Sequence, residues 1–134
     1  MRLAANTGCR LHLVRPLGFA LSDKRLARAG MDYRAGIDYK LHDDWPHCRL
    51  ALNGQRSFAV TTRGTTRYDR LQYQAGDVFV FGPETRGLPV PVLESFLPQF
   101  RLRLPMLVDS RSLNLANAVT AVIYEAWRQL DFKT

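Results

Sequence analysis

Residues 76–89 read Gly-Asp-Val-Phe-Val-Phe-Gly-Pro-Glu-Thr-Arg-Gly-Leu-Pro. Val78–Phe81 is a continuous apolar run behind a Gly-Asp turn pair, the mark of a strand buried on both faces of a sheet. Glycine and proline then end the strand, and a short helix is expected near Pro91 to Phe96. On the N-terminal side, Ser57 to Thr62 (Ser-Phe-Ala-Val-Thr-Thr) reads as another strand, closed by Gly64. On the C-terminal side, Phe100 to Met106 is a third, and Asn114 to Leu130 is the one long helix, with Ser112 or Asn114 able to cap it. Further upstream, Cys9 to Arg15 alternates like a strand and stops at Pro16. Asp23 to Ala29 reads as a short basic helix, capped by Ser22 or Asp23 and ended by Gly30. The segment with His42, Asp43, Asp44, Trp45 and Pro46 reads as a polar loop leading into a short helix. Met1 to Ala5 looks like the last turn of a helix, stopped by Asn6-Thr7-Gly8. Strands alternating with helices predict an α/β fold with a largely parallel sheet.

The bulk properties agree with this. The chain has 134 residues, 46% hydrophobic and 23% charged, which suits a single domain over residues 1–134 that needs neither disulfide nor metal. Disordered and fibrous classes are excluded, and no apolar run approaches the ~20 residues of a membrane helix. Cys9 and Cys48 are too few for a disulfide scaffold and point to a reducing compartment. The net charge is +7, and sixteen of the nineteen basic residues are arginine. Residues 1–67 hold twelve basic and five acidic side chains, and residues 68–134 hold seven of each. A lopsided, arginine-built surplus suits phosphate recognition and is an electrostatic footprint for nucleic acid. Residues 1–22 carry Arg2, Arg10 and Arg15 with no acid before Asp23, but Pro16 and Gly18 break any transit-peptide pattern, so the segment is read as folded chain.

The familiar catalytic signatures are missing. There is no GxGxxG after a strand, no GxxxxGK[ST], and no CxxC, HExxH or EF-hand loop, so neither a phosphate cradle nor a metal is predicted. His12 falls in a strand and His42 and His47 in the polar loop, each read as a satisfied or solvated histidine. His47 and Cys48 are sequence neighbours that seldom face each other, and Ser110 and Ser112 lack a recognisable base. Projected at ~100° per residue, Leu115, Ala116, Ala118, Val119, Val122, Ile123, Ala126, Trp127 and Leu130 cover half of the last helix. One core-facing stripe needs little more than ~100°, so the excess predicts burial against both the core and a second subunit.

Two segments carry the functional signal. Phe81 to Pro89 lies at the carboxyl end of a buried strand, where ligands bind in open α/β sheets. Leu104-Pro-Met-Leu-Val-Asp-Ser-Arg-Ser-Leu-Asn-Leu115 links the next strand to the long helix. Together with Tyr124-Glu-Ala-Trp-Arg-Gln129, they resemble the last two motifs of the SPOUT RNA 2′-O-methyltransferases. Within these, the chain is similar to the small single-domain enzymes acting on the tRNA wobble nucleotide. Further matches run through Arg2-Leu-Ala-Ala-Asn-Thr-Gly8, Pro16-Leu-Gly-Phe19, Asp23 to Gly30 with Asp32-Tyr33, and Phe58-Ala-Val-Thr-Thr-Arg-Gly64.

This resemblance implies a SPOUT-type α/β fold whose C-terminal segment forms a deep trefoil knot, with S-adenosylmethionine as cofactor. The implied reaction moves its methyl group to the ribose 2′-hydroxyl of the wobble cytidine or modified uridine, with leucine tRNAs as the expected substrates. By motif, Val60, Gly82, Leu104 and Ser112 are cofactor contacts, and Gly87, Met106, Leu113 and Asn114 complete the pocket. Arg2 matches the first-motif arginine and is assigned alkoxide stabilisation, with proton abstraction as an alternative role. Lys24, Arg25, Arg28, Arg86 and Arg111 are expected to grip the tRNA anticodon stem-loop. The family works as a cytoplasmic homodimer packed through its terminal helices, with no metal and no membrane. The residues begin inside the first motif, so the family's first strand and the loop after it have no counterpart here. That departure keeps two other readings open: a related enzyme acting on another RNA position, and a non-catalytic remnant binding RNA or cofactor.

Overall fold

A computed structural model describes residues 2–15, 38–83, 86–108 and 113–133, with only the backbone of Arg2. The chain divides into two compact units, Met1–Gly54 and Gln55–Lys133.

The first unit begins with helix α1 (Arg2–Thr7). Gly8 closes it at φ +74°, its N–H donating to Ala4 O at 2.9 Å, which is the stop expected of Asn6-Thr7-Gly8. Strand β1 (Leu11–Val14) pairs in parallel with β2 (Tyr39–His42), His12 opposite Lys40 and Val14 opposite His42. β1 is shorter than the alternation from Cys9 to Arg15, although Leu11 N–H donates to Asp38 O and Arg15 N–H to His42 O, extending the bonding past both ends. His42 therefore belongs to a strand and is buried, not part of a polar loop. Pairing to β1 supplies what the composition of residues 39–42 does not advertise, a tertiary override of local propensity. Helix α2 (Trp45–Ala51) follows, and it contains His47. Asp44 caps it, with Oδ1 accepting from His47 N–H at 2.9 Å, and Pro46 sits in the first turn where its missing donor costs nothing. Cys48 and Leu52 are the buried residues of this segment.

The second unit holds a four-stranded sheet of β3 (Ser57–Val60), β4 (Thr66–Arg67), β5 (Val78–Phe81) and β6 (Arg101–Arg103). Its order is β4-β6-β3-β5 and every pairing is parallel, as the alternation of strands and helices requires. Helices α3 (Val90–Glu94) and α4 (Leu115–Gln129) complete the unit. The strands are shorter than their apolar runs suggest: β3 stops at Val60, two residues before Thr62, and β6 spans only part of residues 100–106. β5 corrects the reading of its apolar run. It is an edge strand among the described residues, and all four of its residues are half-buried. An apolar run reports contact on the sheet faces, not the number of flanking strands.

The core gathers on β3. Phe58, Tyr73 and Leu102 are buried together, with Phe79, Phe100, Leu71 and Ala126 packed around them. Phe58 meets Tyr73 and Phe100 edge-on, each at 5.5 Å between centroids, and lies nearly parallel to Phe79 at 5.7 Å. Arg56 stands 5.1 Å above the Phe58 ring and forms a two-point ion pair with Asp77, at 3.0 and 2.7 Å. Helix α4 starts where expected, Asn114 Oδ1 accepting from Ala116 N–H at 2.9 Å, so Asn114 is the cap. Its buried residue is Val122; Ala116 is exposed, and the rest of the apolar arc is half-buried.

Gln129 docks α4 onto the segment between β4 and β5, accepting from Tyr73 N–H at 2.9 Å and donating to Leu71 O at 3.0 Å. Gln129→Ala strips both backbone groups of a partner. The expected loss is about 1–3 kcal/mol of unfolding free energy, measured by urea denaturation at constant m-value.

Candidate cofactor rim

The parallel register sets the ends of three neighbouring strands side by side. Val60, the last residue of β3, is opposite Phe81 at the end of β5 and opposite Leu102 in β6. Gly82 directly follows Phe81, and Leu104 follows Arg103 at the end of β6, so Val60, Gly82 and Leu104 share one rim of the sheet. Val60, Gly82 and Leu104 are half-buried, whereas Met106 and Leu113 are exposed.

Two glycines make the rim compact. A Cβ on Gly82 would meet Gly87 C and Leu88 N and would stand 2.6 Å from Gly87 O. The turn after β5 thus folds back onto its own start so closely that only glycine fits. Gly87 N–H donates to Pro83 O at 2.9 Å, and Gly87 itself has φ +69°. On the other side of β3, residues 61–65 are bound to β6. Thr61 N–H donates to Leu102 O at 2.9 Å and Thr65 N–H to Arg101 O at 3.1 Å. A Cβ on Gly64 would lie 2.5 Å from Leu102 O and 2.7 Å from Arg103 N. From sequence Gly64 reads only as a strand terminator, and its close approach to β6 is visible only in the fold. Arg63 beside it and Arg103 at the end of β6 are both exposed, placing two cations at this edge that the sequence reading did not single out.

The structure therefore brings together three of the expected pocket residues, Val60, Gly82 and Leu104, with Gly87 in the same turn. Leu113 and Asn114 stand at the start of α4, and Arg86 is exposed in the turn after β5. Arg2 is the first residue of α1. Lys24, Arg25, Arg28, Arg111 and Ser112 lie outside the described residues, as does the expected helix from Asp23 to Ala29.

A parallel sheet with tight glycine turns gathered beyond its carboxyl ends marks an α/β protein, and in open α/β sheets ligands bind beyond those ends. The SpoU rRNA methylase family matches residues 1–124, and the chain belongs to that family. It is 55% identical over 132 residues to a tRNA (cytidine(34)-2′-O)-methyltransferase of Methylovorus glucosotrophus, covering 98% of this chain and 86% of that protein. A chain solved in work on 2-OH methylation of C/U34 on tRNA superposes with TM-score 0.88 at 47% identity, covering 98% of this chain and 86% of that one. An AdoMet-bound rRNA methyltransferase from Sinorhizobium meliloti superposes with TM-score 0.77 at 26% identity, covering 96% of this chain and 49% of that chain.

Proposed function

We propose that this chain transfers a methyl group from S-adenosylmethionine to the ribose 2′-hydroxyl of nucleotide 34 of tRNA, a cytidine or a modified uridine. The reading is carried by the near full-length similarity to a tRNA (cytidine(34)-2′-O)-methyltransferase. The rim fits the cofactor. Half-buried Val60 and Leu104 offer apolar surface to an adenosyl group, and the turn from Gly82 to Gly87 presents backbone where no side chain fits. Met106, Ser112, Leu113 and Asn114 complete the pocket in this reading; the Asn114 side chain also caps α4.

Bound there, the cofactor supplies a sulfonium methyl group open to in-line displacement. The chain's part is to hold the ribose hydroxyl in line and to stabilise the alkoxide as its proton passes to water, the cofactor leaving as a neutral thioether. Arg2 takes the second task, because a guanidinium keeps its charge at any physiological pH and is a poor base. Lys24, Arg25, Arg28, Arg86 and Arg111 bind phosphates of the anticodon stem-loop, leucine tRNAs being the expected substrates, and Arg63 and Arg103 extend that surface. The two compact units form one methyltransferase domain, consistent with a family match that runs through both. Its C-terminal segment forms the trefoil knot, and α4 packs against a second copy in a homodimer. Half-burial along its apolar arc and the exposure of Tyr124 favour that use of α4. No helix among the described residues is long and apolar enough to cross a membrane. As an enzyme of tRNA, it acts in the cytoplasm in this reading.

The test is labelled methyl transfer to bulk tRNA followed by nucleoside analysis. The expected product is 2′-O-methylcytidine or 2′-O-methyluridine at position 34. Methylation of rRNA instead would favour a related activity on another RNA position, the alternative that the Sinorhizobium rRNA enzyme keeps in view. Arg2→Ala should lower kcat by about 10²–10³, the size of a lost oxyanion donor, while cofactor affinity by calorimetry stays within a few-fold.

A further inference from the structure

The first unit contains a group of side chains that the rim and the arginines do not use. His12 and His42 lie on the same face of the β1–β2 ladder, two register positions apart. Their rings are stacked at 5.1 Å between centroids, and His12 Nδ1 is 2.8 Å from His42 Nε2. Helix α2 packs against both strands and brings the buried, unoxidised Cys48 to them. The three potential ligand atoms lie within 4.8 Å of one another, and His42 and Cys48 are both buried.

We infer that His12 Nδ1, His42 Nε2 and Cys48 Sγ form a binding site for one zinc ion. Two imidazoles and a thiolate are the borderline-soft set that zinc takes, with water able to complete the tetrahedron. Bonds of about 2.0–2.3 Å put the donor atoms of a tetrahedral site roughly 3.3–3.8 Å apart. The histidine pair therefore opens by about half an ångström, and the sulfur closes by at most about one ångström. Both movements lie within side-chain torsion. Burial, and after it His42, lowers the pKa of His12, which favours the neutral imidazole that a metal requires. Burial raises the Cys48 thiol, so metal entry must displace its proton. In the proton balance Cys48 releases one proton per zinc bound. The proton shared between His12 Nδ1 and His42 Nε2 moves to the other nitrogen of the ring that carries it, and nothing is oxidised. The bound ion would cross-link α2 to the β1–β2 ladder.

Two other residues could bind zinc adventitiously, and the experiment separates them. Cys9 is exposed, and the exposed His47 pairs through Nδ1 with Asp44 Oδ1 at 2.5 Å. The full chain is stripped with chelator, titrated with zinc by calorimetry, and separately loaded with cobalt. The expected results are one zinc per chain, affinity that rises tenfold per pH unit below the thiol's own titration, and a thiolate-to-cobalt charge-transfer band. Cys48→Ala should abolish the band and weaken zinc by ~100-fold or more, above the loss seen for outer-shell partners. His42→Gln should weaken it similarly, while Cys9→Ser and His47→Ala should leave it unchanged. Circular dichroism of each variant without metal checks that it folds, and if one does not, His12→Gln replaces it. Absence of stoichiometric zinc, or zinc retained in folded Cys48→Ala, overturns the inference and leaves a hydrogen-bonded histidine pair beside a buried thiol.

Discussion

Gly82→Ala is expected to remove S-adenosylmethionine binding and to destabilise the fold in the same stroke. The added methyl has nowhere to go, because the atoms it meets are the backbone of Gly87 and Leu88 rather than the far end of a flexible side chain. Relief requires the turn after β5 to move as a whole, and that turn forms one wall of the rim. Overpacking of this kind costs about 1–3 kcal/mol, occasionally more. The cofactor effect should be at the upper end of that range or above it, at least ~100-fold in affinity, since a displacement near 1 Å misplaces every backbone group the ligand would meet. Calorimetric titration with S-adenosylmethionine beside thermal unfolding separates the two effects. A folded Gly82→Ala protein with undiminished affinity would move the cofactor away from this rim.

The second large effect belongs to Phe58→Ala. Phe58 is 1% exposed and touches three other aromatic rings as well as the Arg56 guanidinium. Truncation leaves a cavity whose walls are held by the strands on either side, β5 and β6, so collapse is limited. The expected loss is about 3–5 kcal/mol. Against a total near 5–15 kcal/mol, that brings the protein close to unfolding at ambient temperature. Urea denaturation measures it, and a loss under 1 kcal/mol would show that the aromatic cluster is not where the second unit keeps its stability.

The parts of the fold legible in the sequence were those set locally. Gly8 ends α1, Asn114 caps α4 and Val78–Phe81 forms a strand because each outcome depends on a few adjacent residues. Strand β2 was not legible, since Tyr-Lys-Leu-His acquires its conformation from pairing with β1 across a long connection. Nor was the place of β5 at the sheet edge among the described residues, because strand order is decided by contacts between distant segments. The candidate site divides the same way. Val60, Gly82 and Leu104 were expected together by motif, and the parallel register explains why residues so far apart in the chain share a rim. The close approach of Gly64 to β6 and the gathering of His12, His42 and Cys48 were not legible, because no spacing encodes an approach made by tertiary packing.

The ladder between β3 and β6 also bears on synthesis. It joins Ala59 to Arg101 and Val60 to Leu102. During translation β3 can pair with β5 well before β6 has left the ribosome, so the nascent sheet carries an open edge beside Phe58 while further residues are added. Non-local parallel pairing is slow to form, and an unpaired edge beside apolar surface invites association with other chains. The same contact that buries Leu102 completely in the finished protein makes late arrival of β6 the vulnerable interval of its folding.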